Sequence, residues 1–109
     1  MSADYWLVID TGGEEPARLT DPSINCTYNL GEMLRAAGFP AWNALIDAPA
    51  SETGGMLRAV ADKLRSDPEQ FKAYNPPNGW GTYEGAIEFL DAFAAACAEH
   101  PKATIGGWL

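Results

Sequence analysis

The chain has few of the residues from which catalytic and metal sites are most often built. Its only histidine is His100, and its only cysteines are Cys26 and Cys97. The two cysteines lie far apart, outside C-x-x-C or any other ligand spacing, and no second histidine completes a zinc motif. The glycine pairs at 12–13, 54–55 and 106–107 lack the Gly-Lys-Ser/Thr of a phosphate-binding loop. We therefore predict no catalytic residues, no metal, no cofactor and a protein that is not an enzyme.

Basic residues are also scarce. Seven lysines and arginines stand against fifteen aspartates and glutamates, which gives a net charge of -8. Binding to nucleic acid or to anionic membranes requires clustered basic side chains. Here the basic residues from Arg58 to Lys72 are interleaved with acidic ones. The acidic residues are scattered singly, so imitation of nucleic acid is also disfavoured, and we predict no nucleic-acid partner.

Long apolar runs are missing as well. No segment approaches the ~20 apolar residues that a membrane span needs. The first four residues are followed by only five apolar ones, which is too short for a signal peptide. The sequence thus predicts no membrane partner and a cytoplasmic location, where both thiols would be reduced and buried.

The arrangement of apolar residues predicts one domain over residues 1–109, since neither a linker nor a repeat divides the chain. Tyr5–Ile9 has the pattern of a strand buried on both faces, and residues 103–109 that of a terminal strand able to pair with it. A short edge strand is indicated at 18–20. Helical periodicity begins near Leu30, Thr53, Asp67 and Tyr83. We predict an α+β fold in which several helices pack on a small sheet formed by the N- and C-terminal strands.

Asn25, Thr27 and Asn29 form the first candidate binding segment. If the chain is extended here, their polar side chains share one face, while Ile24 and Cys26 turn to the core. The alternative is that they only cap the next helix and brace the loop, as Asn and Thr often do.

The second candidate segment is a glycine-flexed loop at the start of the last predicted helix, with Asn78, Trp80, Tyr83 and Glu84. Free N–H groups at a helix N-terminus can hold an anion, and Trp80 could stack on a flat ligand. The alternative places Trp80 in the core as a lid, the glycines merely permitting the turn.

Both segments carry a resemblance. The pattern Asn-x-Thr-Tyr-Asn before one helix, and Asn-Gly-Trp-Gly-x-Tyr-Glu before another that ends in Cys-x-x-x-Pro, resembles a family of small phage and bacterial proteins with no assigned activity. The likeness extends from Ile24 to Pro101. It implies a phage-type protein in which the two segments belong to one structural or binding unit.

Three functions remain open at this point. The first is a non-enzymatic cytoplasmic module binding a small polar or nucleotide-like ligand between the two segments. The second is an interaction domain that inhibits a host protein through an acidic helix face, formed by Glu84, Glu88, Asp91 and Glu99. Neither the partner nor the oligomeric state follows from the sequence.

The third, a remote alternative, is an aspartic protease of the retroviral type, whose Asp-Thr-Gly motif also follows an apolar strand. Asp10-Thr11-Gly12 matches it, but Gly13 stands where those enzymes have alanine, and about half of this chain has helical periodicity. An Asp-Thr-Gly turn is the simpler interpretation.

Overall fold

The computed structural model describes the backbone of residues 1–109 and the side chains of residues 1–19 and 24–109. The strands are β1 Ser2–Ile9, β2 Ala17–Thr27 and β3 Thr104–Trp108, all antiparallel, in the order β2-β1-β3. The α-helices are α1 Gly31–Ala36, α2 Ala50–Ser66, α3 Pro68–Lys72 and α4 Tyr83–Glu99, and 3-10 turns span Tyr28–Leu30 and Trp42–Leu45. The predicted α+β class, with both terminal strands in the sheet, is confirmed.

The first strand is buried on one face only, so the prediction of burial on both faces is wrong. Ala3, Tyr5 and Leu7 are buried in the core, while the residues between them are half-buried. A strand whose two faces meet different surroundings shows this alternation. On the second face the neighbours are polar side chains, such as Arg18, whose guanidinium carbon lies 4.6 Å from the centre of the Trp6 ring.

The second strand is longer than predicted. The expected edge strand at 18–20 and the segment entering the first helix belong to one strand, β2, whose register against β1 shifts between Tyr5 and Leu7. Before it, Gly12 adopts a φ of +80° and donates its N–H to the Asp10 carboxylate at 2.9 Å. Asp10 is exposed. These features are those of an Asx-type turn and support the turn interpretation of Asp10-Thr11-Gly12.

The helix boundaries follow from their capping residues. The Thr82 hydroxyl accepts the N–H of Gly85 at 3.0 Å, so α4 begins where the sequence predicts. Asp67 likewise accepts from Gln70 at 3.2 Å. The second helix starts at Ala50 rather than Thr53, because the Pro49 carbonyl accepts both the N–H and the hydroxyl of Thr53.

The core is one apolar cluster between the sheet and the helices. Helices α2 and α4 approach closely where Gly54 faces Cys97: a Cβ on this glycine would lie 3.1 Å from the Cys97 Cβ. Tyr5 joins the sheet to α4, since its ring centre is 5.0 Å from that of Phe93. None of the helices described has the length and apolar character to cross a membrane.

The two edges of the sheet differ. Residues 47–50 run along β3 and cover its outer edge: Asp47 donates its N–H to the Ile105 carbonyl at 2.7 Å, and Ile105 donates to Ala48 at 2.9 Å. In addition, Ala50 donates to Ala103 at 2.9 Å. At the other edge, β2 has β1 as its one strand neighbour in the described sheet.

Candidate interaction surface

The loop before α4 holds Trp80 outward, with 69% of its surface exposed. Gly79 and Gly81 bend the loop with φ values of +76° and +115°, which residues with a Cβ rarely adopt. The Asn78 side-chain oxygen accepts the Trp80 N–H at 2.9 Å, and that of Asn75 accepts the Tyr83 N–H at 2.9 Å. The alternative in which Trp80 forms a core lid is therefore wrong, because most of its surface reaches solvent.

Gly81 joins the two candidate segments. A Cβ at this position would lie 2.9 Å from Leu30 Cγ and 3.0 Å from Thr27 Cγ2, so the loop backbone rests directly on these side chains. Trp80 is the residue immediately before Gly81. The structure thus brings the exposed tryptophan close to the end of β2, as the sequence-based hypothesis of a shared unit requires.

The polar side chains of the first segment are largely used inside the protein. Asn25 Nδ2 donates to Asp4 Oδ1 at 2.7 Å and to Ser2 Oγ at 3.1 Å, which ties β2 to β1. Thr27 Oγ1 accepts from the backbone and side-chain nitrogens of Asn29 at 3.3 and 3.1 Å. These contacts support the capping and bracing interpretation for the three residues.

Tyr83 and Glu84, adjacent in sequence, have opposite environments. The Tyr83 side chain is buried, and its hydroxyl donates to the Leu64 carbonyl at 2.8 Å. That hydroxyl therefore anchors α4 to α2. Glu84 is exposed in the first turn of α4. Of the seven predicted site residues, Trp80 and Glu84 are the ones whose side chains reach solvent without a hydrogen bond among the described residues.

A groove that the sequence did not predict runs between β2 and α4. It has a volume of about 290 Å³ and is lined by Ile24, Asn25, Gly85, Glu88, Phe89 and Ala92. Successive residues of a strand point to opposite faces, so a groove that touches both Ile24 and Asn25 follows the strand edge. Part of the groove could have been found from the sequence, because the i, i+3, i+7 spacing of Gly85, Glu88 and Ala92 places these lining residues on one face of a helix.

The surroundings of this groove are acidic. Glu84 and Glu88 are exposed on α4 and have no ion pair in the part of the chain with described side chains, where Arg65 and Asp91 form the one pair found. The acidic face predicted on α4 is thus exposed, although Asp91 is partly neutralised by Arg65.

Both cysteine thiols are buried in the protein. Burial raises the pKa of the Cys26 thiol to about 12 and that of Cys97 to about 11, so both are protonated at neutral pH. No group of three or more His, Cys, Asp or Glu residues is positioned for a metal ion among the side chains described. His100 is the capping residue at the C-terminal end of α4.

Neither protein-family models, nor curated proteins, nor solved structures compared with this chain match it. The resemblance to phage and bacterial proteins therefore stays a prediction.

Proposed function

We propose that this protein is a non-enzymatic interaction module that binds a partner protein through Trp80 and the acidic first turns of α4. The observation that carries the proposal is the exposure of Trp80 on a loop that two asparagines and the Gly81 contact hold in place. Exposed tryptophans are frequent energetic centres of interfaces, and a loop ordered before binding loses little entropy on association. If the resemblance to phage proteins is right, the partner is a host protein in the cytoplasm.

The surroundings of Trp80 favour a protein over a small ligand. Pockets for small molecules usually enclose about 300–1,000 Å³ with converging polar groups. The groove between β2 and α4 lies at the lower end of this range, at about 290 Å³, and the polar groups of Asn25, Thr27 and Asn78 are engaged in internal hydrogen bonds. An exposed aromatic residue on an ordered loop suits a partner chain that extends across the surface.

The test is affinity capture from a lysate of the source cell with three immobilised proteins: wild type, Trp80→Ala and Trp108→Ala. Trp108 is a matched control because it is 74% exposed and lies on β3 rather than in the loop before α4. We expect a captured protein that Trp80→Ala loses and Trp108→Ala retains, with affinity for the purified partner reduced about thirtyfold or more. If every captured protein is retained by Trp80→Ala, the proposal is wrong.

A second candidate is a flat, nucleotide-like ligand that stacks on Trp80. The exposure of Trp80 favours it, since an exposed indole ring can stack on a flat ligand. Titration of a nucleotide panel, followed by tryptophan fluorescence in the wild type and in Trp80→Phe, tests this candidate. An unchanged signal, or the same change in both proteins, would exclude it.

A further inference from the structure

The open edge of β2 is the starting observation. An edge strand presents unpaired N–H and C=O groups, and proteins usually cover or blunt such an edge because other chains can pair with it. This protein covers one edge, where residues 47–50 hydrogen-bond to Ala103 and Ile105. The edge at Ile24–Thr27 has no such strand on its outer side in the described sheet. Since the β3 edge is covered and the β2 edge is not, β2 is the place where another extended chain can pair with the sheet.

The groove supplies space for that chain. Its lining includes the apolar side chains of Ile24 and Phe89 and, on α4, the small residues Gly85 and Ala92. Because these two residues are small, they leave room for a peptide beside the helix. An added strand could therefore pair with β2 on one side and contact α4 on the other, as happens when an extended peptide joins a sheet edge.

The negative charge beside the groove favours a basic peptide. Glu88 lines the groove, Glu84 stands one turn earlier on α4, and neither has an ion-pair partner among the described side chains. The whole protein has a net charge of -8, which attracts basic segments and repels acidic ones.

We propose that an extended, basic segment of the partner protein adds to β2 at Ile24–Thr27 and lies in the groove against α4. Its backbone pairs with the strand edge, alternate side chains contact Ile24 and Phe89, and its lysines or arginines meet Glu84 and Glu88. This inference rests on the proposed function, and it places Trp80 at the end of the segment, because Gly81 contacts Thr27.

The test begins with selection from a displayed library of random, unstructured peptides against the full-length protein. We expect enriched peptides with excess lysine and arginine and few prolines, whose affinity falls as NaCl rises. Affinity should fall about tenfold in Glu88→Lys and change little in Glu99→Lys, which makes the same charge change at an exposed site at the other end of α4. Methylation of alternate peptide nitrogens should abolish binding, because it removes strand pairing.

Amide hydrogen exchange of the protein saturated with a selected peptide locates the contact. Slower exchange at Ile24–Thr27 is expected. No binder, binders without basic residues, or unchanged exchange at this edge would each overturn the inference. Binders that need Trp80 but leave the β2 amides unprotected would overturn it and keep the proposed function. Binders that protect β2 yet are insensitive to Trp80→Ala would support strand addition and count against the role proposed for Trp80.

Discussion

Gly81→Ala should disrupt the contact between the two candidate segments, because it adds a single methyl group where the loop touches β2. The Gly81 φ of +115° is unfavourable for any residue with a Cβ, at about 1–2 kcal/mol. The added Cβ would also lie 2.9 Å from Leu30 Cγ and 3.0 Å from Thr27 Cγ2, and such overpacking costs about 1–3 kcal/mol. We therefore expect Gly81→Ala to lower the free energy of unfolding by about 2–5 kcal/mol, a large share of the roughly 5–15 kcal/mol of a typical domain.

Gly79→Ala is the matched control. Gly79 lies in the same loop with a φ of +76°, but a Cβ there meets nothing within 4 Å. It should lose only the conformational part, about 1–2 kcal/mol. The difference between the two variants, about 1–3 kcal/mol, measures the contact of the loop with Thr27 and Leu30.

Urea unfolding followed by far-UV circular dichroism gives both values, with tryptophan fluorescence as a second probe of the same transition. Equal destabilisation in the two variants would mean that the loop does not rest on β2 as described. In that case Trp80 would not be held near Thr27, and the shared surface would lose its main support.

Two further predictions concern the helices and the thiols. In α2, Gly55→Ala should raise the free energy of unfolding by up to about 1 kcal/mol, since the added Cβ meets nothing within 4 Å. Gly54→Ala should gain less stability or lose some, because its Cβ would lie 3.1 Å from that of Cys97. Thermal unfolding that ranks Gly54→Ala as the more stable variant would contradict this prediction. Burial raises the pKa of Cys26 from 9.0 to about 12, so the unfolded thiol ionises first, and its contribution to stability is complete below pH 9 and lost as pH rises toward 12. Urea unfolding across this range should show a smaller loss in Cys26→Ser, and identical pH dependence in both proteins would refute the assignment.

Local features were predictable where neighbouring residues decide them. The start of α4 after Thr82 and the Asp67 cap with Pro68 after it follow from a few adjacent side chains. The burial of β1 was not predictable in the same way, because a run of apolar residues does not reveal whether a second layer covers the far face.

The candidate surface likewise has some features that neighbouring residues decide and others that depend on tertiary contacts. Its residues Trp80 and Glu84 could be selected from the sequence, since an aromatic residue between glycines before a capped helix is a local pattern. The engagement of Asn25 with Asp4, by contrast, joins residues 21 positions apart and depends on strand register. The groove between β2 and α4 depends on how a helix settles beside a strand remote in sequence.

By itself, the sequence determined the α+β class, the terminal strands of the sheet, the main helix ends and the acidic, thiol-poor chemistry, because composition, periodicity and capping act over short distances. Only the tertiary structure decided that Trp80 is exposed, that Gly81 brings it to β2, and that one sheet edge is covered while the other stays open. These features depend on contacts between distant segments, whose energies are set by packing geometry that no local pattern specifies.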